Sequence, residues 1–254
     1  MSEPSTGKPY GTVLIKANEI LEFLLKTQDA PSLAQISAGL GMAKPTAQKI
    51  LTTMNQLGMV RRDDQTKRYY IGTQMIAYAQ KALASFDIAG AARPFLQKLR
   101  DETGETINLG VLRDSKIVLI EKLESPTSIK LQSIIGGTMN LYSSAMGKAV
   151  LATYTQSQLR QYFDTTKLTP LTPYTITSQT KLQADLKQIQ QTGVSIDNEE
   201  NESEVFCLGA TIHKNHQLYG AFSISTPKYR LPKERRTEFV RLLLNTQHAI
   251  EAAL

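Results

Sequence analysis

The apolar pattern of the chain changes period at Gly58, and this change constrains the fold of the first third. Before Gly58, apolar residues recur at helical spacing in three segments: 12–26, 33–40 and 43–57. After it, residues 59–71 predict two short strands around a polar Asp63–Thr66 turn. Ser32 suits a helix N-cap, and Pro45 suits a first helical turn. The order helix, short helix, turn, helix and β-hairpin predicts a winged helix-turn-helix, whose second motif helix enters the DNA major groove.

The outward face of the third helix is polar and carries no acidic side chain, and the hairpin adds basic residues. Lys, Thr and Gln can bond base edges or phosphates, whereas a carboxylate would repel the DNA backbone. Each feature alone is equally typical of a solvated surface, but their combination favours DNA binding. The predicted DNA-binding residues are Lys44, Thr46, Gln48, Lys49, Thr52, Arg61, Arg62, Lys67 and Arg68.

The charge distribution agrees with this interpretation. The formal net charge is +6, and residues 1–85 supply two thirds of it, with ten Lys or Arg against six Asp or Glu. A second basic cluster at 228–236 precedes an amphipathic run and is interpreted as the solvated start of a helix. A mild surplus concentrated in the predicted winged domain indicates a polyanionic partner for that part of the chain.

Composition excludes several other classes. The chain has 254 residues, enough for two modest domains. Its single cysteine, Cys207, excludes a disulfide framework, and with three histidines it has no zinc-finger spacing. No apolar run reaches the ~18 residues that span a membrane. The polar start, residues 1–11, is predicted to be a flexible tail, and a cytoplasmic location is expected. Since no P-loop, nucleophile elbow or acid–base–nucleophile set is present, we predict no enzyme activity, catalytic residue, metal or cofactor.

The rest of the chain predicts a linker helix and an α+β domain. Segment 73–86 is apolar around most of its circumference and is expected to pack on the first helix or on the same segment of a second subunit. From residue 88, the pattern predicts a helix, a hairpin with Asp114 and Ser115 at its tip, and a strand at 128–137. Three helices, three strands and a closing helix from Pro232 follow. Strands at both ends with helices between them indicate an antiparallel sheet.

Three segments carry a resemblance to a known family. They are AKPTAQKILTTMNQLGMV at 43–60, SSAMGKAVLA at 143–152, and GVSIDNEENESEVFCLGATI at 193–212, which an FSIST strand follows. With these segments the chain resembles the IclR family of bacterial transcriptional regulators from about Thr12 to Leu254. The resemblance implies a winged helix-turn-helix over 12–72, a linker helix over 73–87 and a GAF-like effector-binding domain over 88–254.

The resemblance also implies an effector pocket. Carried over from the family's motifs, its residues are Ala145, Met146, Asp197, Cys207, Ser223 and Ser225. Physical chemistry supports the assignment, because Ser223 and Ser225 lie two apart on a strand and face the same side. N–H groups at the start of the 145–154 helix can hold a carboxylate. Bulky Met146 is expected to shrink the pocket or favour a less polar ligand.

Three functional hypotheses follow. The first is a ligand-responsive regulator, a repressor rather than an activator, that binds double-stranded operator DNA as a homodimer or homotetramer. Its effector would be a small molecule such as a carboxylate or an aromatic metabolite. The second keeps DNA binding but gives the C-terminal domain only an oligomerisation role. The third is an enzyme or metabolite carrier built on Cys207 and Asp197, for which Cys207 must be an accessible thiolate.

Overall fold

The computed structural model of the chain describes residues 11–83, 87–127, 131 and 133–254. The chain divides into two compact units, Met1–Ser85 and Phe86–Leu254. Positions 1–10 of the predicted tail and positions 84–86 of the predicted linker helix lie outside the described residues. No helix within the described ranges is long and apolar enough to cross a membrane.

The first unit has the element order that the sequence predicts. Its elements are α1 (Thr12–Lys26), α2 (Leu33–Gly39), α3 (Lys44–Gln56), β1 (Val60–Arg62), β2 (Tyr69–Ile71) and α4 (Gln74–Leu83). The strands β1 and β2 pair antiparallel, with Val60 opposite Ile71. Three helices followed by a two-stranded wing confirm the winged helix-turn-helix.

Local chemistry explains why these elements begin and end where they do. Ser32 starts α2 with a capping box, in which its hydroxyl accepts from the Gln35 N–H and its own N–H donates to Gln35 Oε1 at 2.9 Å. The wing closes on two glycines. Gly58 takes a φ of 69°, and a Cβ on Gly72 would lie 2.1 Å from the Gly58 carbonyl oxygen. Only glycine therefore fits at position 72.

The second unit contains one six-stranded antiparallel sheet. Its elements are α5 (Asp87–Thr103), β3 (Thr106–Arg113), β4 (Lys116–Leu123), β5 (Thr138–Asn140), α6 (Ala145–Leu151), α7 (Gln156–Thr165), α8 (Gln179–Thr192), β6 (Ser195–Asn198), β7 (Val205–Lys214), β8 (Gln217–Pro227), a 3-10 turn (Lys228–Arg230) and α9 (Lys233–Ala253). The strand order is β5-β4-β3-β8-β7-β6. This arrangement confirms the two-domain α+β fold.

The predicted strand at 128–137 is wrong for the residues that can be described. Leu131 and residues 133–137 are not in a strand, and β5 begins only at Thr138, while 128–130 and 132 lie outside the described residues. The chain turns between Ile134 and Gly137, since Gly136 takes a φ of 85° and Gly137 N donates to the Ile134 carbonyl at 2.9 Å. In the described part of this segment, backbone bonds to Leu119 of β4 begin at Gly136, which donates to the Leu119 carbonyl at 2.7 Å. Apolar composition alone does not reveal this turn.

The helix α6 packs unusually close to the sheet. Ser195 on β6 donates its hydroxyl to the Ala145 carbonyl oxygen at 2.6 Å. A Cβ on Gly209 of β7 would lie 2.7 Å from the Ala145 carbonyl carbon, and a Cβ on Gly147 would lie 2.5 Å from Leu141 Cα. Two glycines therefore set how closely the helix approaches its neighbours. α9 lies on the other face of the sheet, where Arg236 stacks over Phe206 at 4.5 Å.

Replacing Gly209 with Ala should destabilise the second unit, because the added methyl group pushes α6 away from β7. Overpacking of this kind costs ~1–3 kcal/mol, which lowers the melting temperature by several degrees. Gly90→Ala is the matched control, since Gly90 lies in α5 with nothing within 4 Å of the added Cβ. The control should melt at the wild-type temperature or slightly above it. Calorimetry that shows equal melting for both variants would contradict the close approach of α6.

Candidate functional site

The helix α3 presents a polar face away from the core of the first unit. Its buried residues are Ala47, Ile50, Leu51 and Met54, which pack with Ile20, Ile36 and Tyr69 in one apolar cluster. The predicted contact residues of α3 lie on the opposite side. Lys44, Gln48, Lys49 and Thr52 are exposed and Thr46 is half-buried. The face is therefore available to a partner and carries no carboxylate.

The threonine hydroxyls of α3 are already engaged by the helix backbone. Thr52 Oγ1 donates to the Gln48 carbonyl at 2.8 Å, and Thr53 Oγ1 donates to the Lys49 carbonyl at 3.2 Å. Each hydroxyl oxygen can still accept a hydrogen bond, and each methyl group remains for apolar contact. Asn55, which the sequence analysis did not single out, accepts from the Arg62 N–H at 3.0 Å and ties the helix to the wing.

The wing holds its basic side chains in different ways. The Arg61 guanidinium stacks over the Tyr70 ring at 4.4 Å, and that of Arg62 lies 5.9 Å from the Tyr69 ring centroid. Lys67 is exposed at the turn. Arg68 donates to the Ala30 carbonyl, so this predicted DNA-binding residue also fastens the wing to the segment before α2.

Asp63 serves the turn of the wing. Its Oδ1 accepts from the N–H of Thr66 at 2.7 Å and from the Thr66 hydroxyl at 2.8 Å. The backbone bond from Thr66 is the largest of the effects that lower the pKa of this carboxyl. The acidic residue in the basic wing is therefore explained by turn formation.

In the second unit, the six residues predicted to bind an effector all line one cavity of about 290 Å³. Four of them converge because of strand register. Cys207 of β7 lies directly opposite Ser225 of β8 and opposite Asp197 of β6. Directly opposed residues share a face of the sheet, and Ser223 shares it by the two-residue period. The start of α6, which packs on β6 and β7, adds Ala145 and Met146 to the lining.

Other residues complete the wall of the cavity, and the sequence analysis did not identify them. They include Asn108, Leu131, Ser133, Ile134, Met139, Ser144, Asn201, Glu202 and Val205. Asn108 belongs to β3 and lies opposite Ser223 in the register. A polar residue within the apolar strand INLGVL was the available signal, because buried polar groups in strands need partners.

Asp197 is the most perturbed acid that lines the cavity. Its Oδ1 accepts from the N–H groups of Glu200 at 2.8 Å and Asn201 at 3.2 Å. These bonds lower the pKa of Asp197, but burial outweighs them and raises it to about 7. The Glu200 carboxylate adds to the rise, and the Lys148 ammonium opposes it. Asp197 therefore exchanges its proton near neutral pH.

A buried ionic cluster supports the wall behind Asp197. Lys148 of α6 is only 1% exposed, and its Nζ lies 2.6 Å from Glu200 Oε1 and 2.8 Å from Asp185 Oδ2. Burial raises the pKa of the Glu200 carboxyl, and the Lys148 ammonium opposes that rise. Lys148 thus connects α6 to α8 through Asp185 and to the loop after β6 through Glu200.

The Cys207 thiol lacks the environment of a nucleophile. Burial and the neighbouring Asp197 carboxylate raise its pKa well above the ordinary value, and the Ser225 hydroxyl opposes this only in part. A thiolate is the reactive form of cysteine, so a thiol with a raised pKa is inert at neutral pH. The enzyme hypothesis loses its main support here.

Comparison with known families decides the identity of the chain. Residues 13–64 match the model of the IclR helix-turn-helix domain, and residues 80–252 match the model described as the C-terminal part of the bacterial transcriptional regulator IclR. The second match alone spans more than half of the chain. The chain belongs to the IclR family. IclR proteins are DNA-binding transcriptional regulators and not enzymes, which confirms the regulatory function predicted from the sequence.

Individual relatives agree with the family assignment. The DNA-binding transcriptional repressor YiaJ of Escherichia coli is 32% identical and aligns over 97% of this chain and 89% of its own. The IclR structure of Thermotoga maritima is 32% identical, with a TM-score of 0.81 over 95% of this chain and 98% of its own. An IclR homologue of Microbacterium hydrocarbonoxydans, crystallised with 4-hydroxybenzoate, shares the fold at 17% identity and a TM-score of 0.80, covering 95% of this chain and 98% of its own.

Replacing Asp197 with Asn should remove a loss of folding stability that grows as the pH rises. Unfolded Asp197 ionises near 3.8, but folded Asp197 keeps its proton to about 7. The wild-type free energy of unfolding therefore declines across this window relative to that of the Asp197→Asn variant, whose amide does not titrate there. The advantage of Asp197→Asn should grow by on the order of 2 kcal/mol between pH 5 and pH 8 and level off above that.

Urea denaturation of both proteins at several pH values measures this difference. Asp164→Asn is the control, since Asp164 is an exposed carboxylate on α7, outside the cavity lining. A stability difference between Asp197→Asn and wild type that is the same at pH 5 and pH 8 would refute the raised pKa.

Proposed function

We propose that the chain is a ligand-responsive repressor. Residues 12–72 bind double-stranded operator DNA, and residues 88–254 bind a small-molecule effector that changes operator affinity. The observation that carries the proposal is that the six proposed effector residues, carried over from the family's motifs, line one cavity. The repressor named among the relatives supports the direction of control.

The proposed DNA contacts divide into two kinds. Gln48, with Lys44, Lys49, Thr46 and Thr52, lies on the exposed face of α3, the element that enters the major groove in winged domains. Arg61, Arg62, Lys67 and Arg68 of the wing provide positive charge for flanking phosphates. Sequence preference is therefore assigned to α3, and salt-dependent affinity to the wing.

The proposed effector is small and has both polar and apolar parts. A cavity of about 290 Å³ lies at the small end of the range for ligand sites. Serine, asparagine and aspartate side chains line the cavity together with apolar ones such as Met146, Ile134 and Val205. The 4-hydroxybenzoate held by the Microbacterium homologue supports a carboxylate or an aromatic metabolite as the effector class.

A homodimer is proposed as the DNA-binding species. On α4, Ile76 is 58% exposed and Tyr78 54%, so apolar side chains are exposed on two sides of this helix. The proposed linker helix, residues 73–87, would bury one of these sides against its symmetry mate, and a two-fold axis would present two wings to two half-sites. A homotetramer would then be a pair of such dimers. Operator binding places the protein in the cytoplasm.

An effector can regulate the dimer only if it binds two arrangements of the winged domains with different affinity. This requirement separates the proposal from the alternative in which the second unit serves only oligomerisation, because that alternative predicts no ligand effect on DNA binding.

The double substitution Arg61→Ala/Arg62→Ala should weaken binding to all DNA sequences. Loss of two phosphate contacts should reduce the slope of log affinity against log salt by about two. Fluorescence anisotropy with the chain's own upstream region and with random DNA, at several salt concentrations, measures both quantities. Lys181→Ala/Lys187→Ala, two exposed lysines of α8, is the matched control.

Gln48→Ala should instead alter sequence preference with the salt slope unchanged. If wild-type protein shows no preference for the upstream region, the proposed function is wrong.

A panel of small carboxylates and aromatic acids should contain compounds that raise the melting temperature of the protein. Binding to the folded state stabilises by about 2.7 kcal/mol at a ligand concentration a hundred times Kd. Compounds that stabilise the protein should also change its operator affinity. Stabilisation without any change in operator affinity would favour an oligomerisation domain with an incidental cavity.

A further inference from the structure

A chain of hydrogen bonds crosses the floor of the cavity. The Ser133 hydroxyl donates to Asn108 Oδ1 at 3.1 Å, and Asn108 Nδ2 donates to Ser225 Oγ at 3.1 Å. Ser225 Oγ in turn lies 3.4 Å from Ser223 Oγ. Asn108, Ser223 and Ser225 are 5% exposed or less, so these bonds form away from bulk water.

This chain gives the serine pair a direction. A hydroxyl group carries one hydrogen, and the oxygen of Ser225 already accepts from Asn108. The hydrogen of Ser225 is therefore directed away from Asn108, toward Ser223, the Cys207 sulfur or a ligand in the cavity. The amide of Asn108 is held by two bonds, because Oδ1 accepts from the Ser133 hydroxyl while Nδ2 donates to Ser225 Oγ. The β3–β8 side of the cavity consequently presents hydrogen-bond donors.

The β6 side of the cavity presents acceptors. Asp197 lies two strands from Ser225, with Cys207 between them, so the backbones are about 10 Å apart. Two backbone N–H groups occupy Asp197 Oδ1, and Oδ2 is the oxygen left for a ligand. Glu202 lines the same side. Hydrogen-bond donors therefore lie at one end of the cavity and carboxylates at the other.

We propose that Asn108 is a positioning residue that directs the Ser223 and Ser225 hydroxyls, and that the cavity thereby selects a hydroxy acid. The carboxylate of this ligand accepts from the serine pair, and its hydroxyl donates to Asp197. The body of the ligand is apolar, because Met146 and Val205 also line the cavity. The inference rests on the proposed effector function and adds to it the ligand class and the residue that enforces it.

Two probes that differ only at the serine end test this assignment by isothermal titration calorimetry on the full chain at pH 8. They are 4-hydroxybenzoate and the neutral 4-(hydroxymethyl)phenol, whose hydroxymethyl group both donates and accepts. Wild-type protein should prefer the acid at least tenfold. Asn108→Leu keeps the volume and adds no charge but removes the donor that fixes Ser225, so the preference should fall at least fivefold.

Asn140→Leu is the matched control, because Asn140 lies on the same sheet in β5 and is absent from the lining of this cavity. It should retain the wild-type preference. Equal weakening of both probes in Asn108→Leu would show a merely structural role and overturn the positioning role. The melting temperature of each ligand-free variant reports any general loss of stability.

Benzoate tests the Asp197 end of the cavity. It lacks the hydroxyl group from which Asp197 would accept a hydrogen bond. It should bind at least fivefold more weakly than 4-hydroxybenzoate. Equal binding of the two acids, or no binding of 4-hydroxybenzoate to wild-type protein, would overturn the ligand class. Those outcomes leave operator binding to be judged by the anisotropy experiment, so failure of this inference is distinct from failure of the proposed function.

Discussion

The close approach of α6 to the six-stranded sheet is the constraint on which the second unit depends. Gly209 and Gly147 remove the side chains that would hold the helix away, and the Ser195 hydroxyl fastens the Ala145 carbonyl. Because the start of the helix lies over β6 and β7, Ala145 and Met146 form one wall of the cavity. A larger side chain at position 209 would disturb the sheet contact and the cavity together.

Charged groups hold the loops around this cavity. Lys148 of α6 forms ion pairs with Glu200 and with Asp185 of α8. Glu200 lies in the loop after β6, whose N–H groups donate to Asp197, so these pairs fix that loop to α6 and α8. Lys228 pairs with Glu199 in the same loop, and Arg230 Nε donates to Glu105 at 3.2 Å. Part of the basic cluster at 228–236, interpreted from the sequence as a solvated helix start, is therefore structural. The buried pair of Lys148 and Glu200 adds little net stability, because the cost of removing both charges from water offsets their attraction.

The two units present different physical chemistry to their proposed partners. The α3 face and the wing carry exposed cations and neutral polar groups, which suit a polyanion whose contacts are salt-dependent. The cavity instead has buried donors and acceptors in fixed directions, which suit one small ligand. Coupling between them requires an effector to favour one arrangement of the winged domains energetically.

Sequence periodicity was sufficient for elements whose partners are near in the chain. The order of the winged domain, the outward face of α3 and the hairpin tip at Asp114 and Ser115 were all predicted correctly. The strand expected at 128–137 was wrong at the positions that the structure describes, Leu131 and 133–137, where a turn from Ile134 to Gly137 precedes β5. The six cavity residues were found through family motifs, and Asn108 and Ser133 were missed because they carry no local motif.

The sequence by itself determined the fold class, the family and the distribution of charge, because these depend on local pattern and composition. Only the tertiary structure decided which distant residues meet. Asn108 reaches Ser225 across 117 positions of chain, and Lys148 reaches Glu200 across 52. The register between β3 and β8 sets the first meeting, and the packing of α6 against the β6 side of the sheet sets the second. Register arises from pairing of whole strands rather than from any single segment. The direction of the hydrogen bonds in the cavity is therefore a property of the folded sheet.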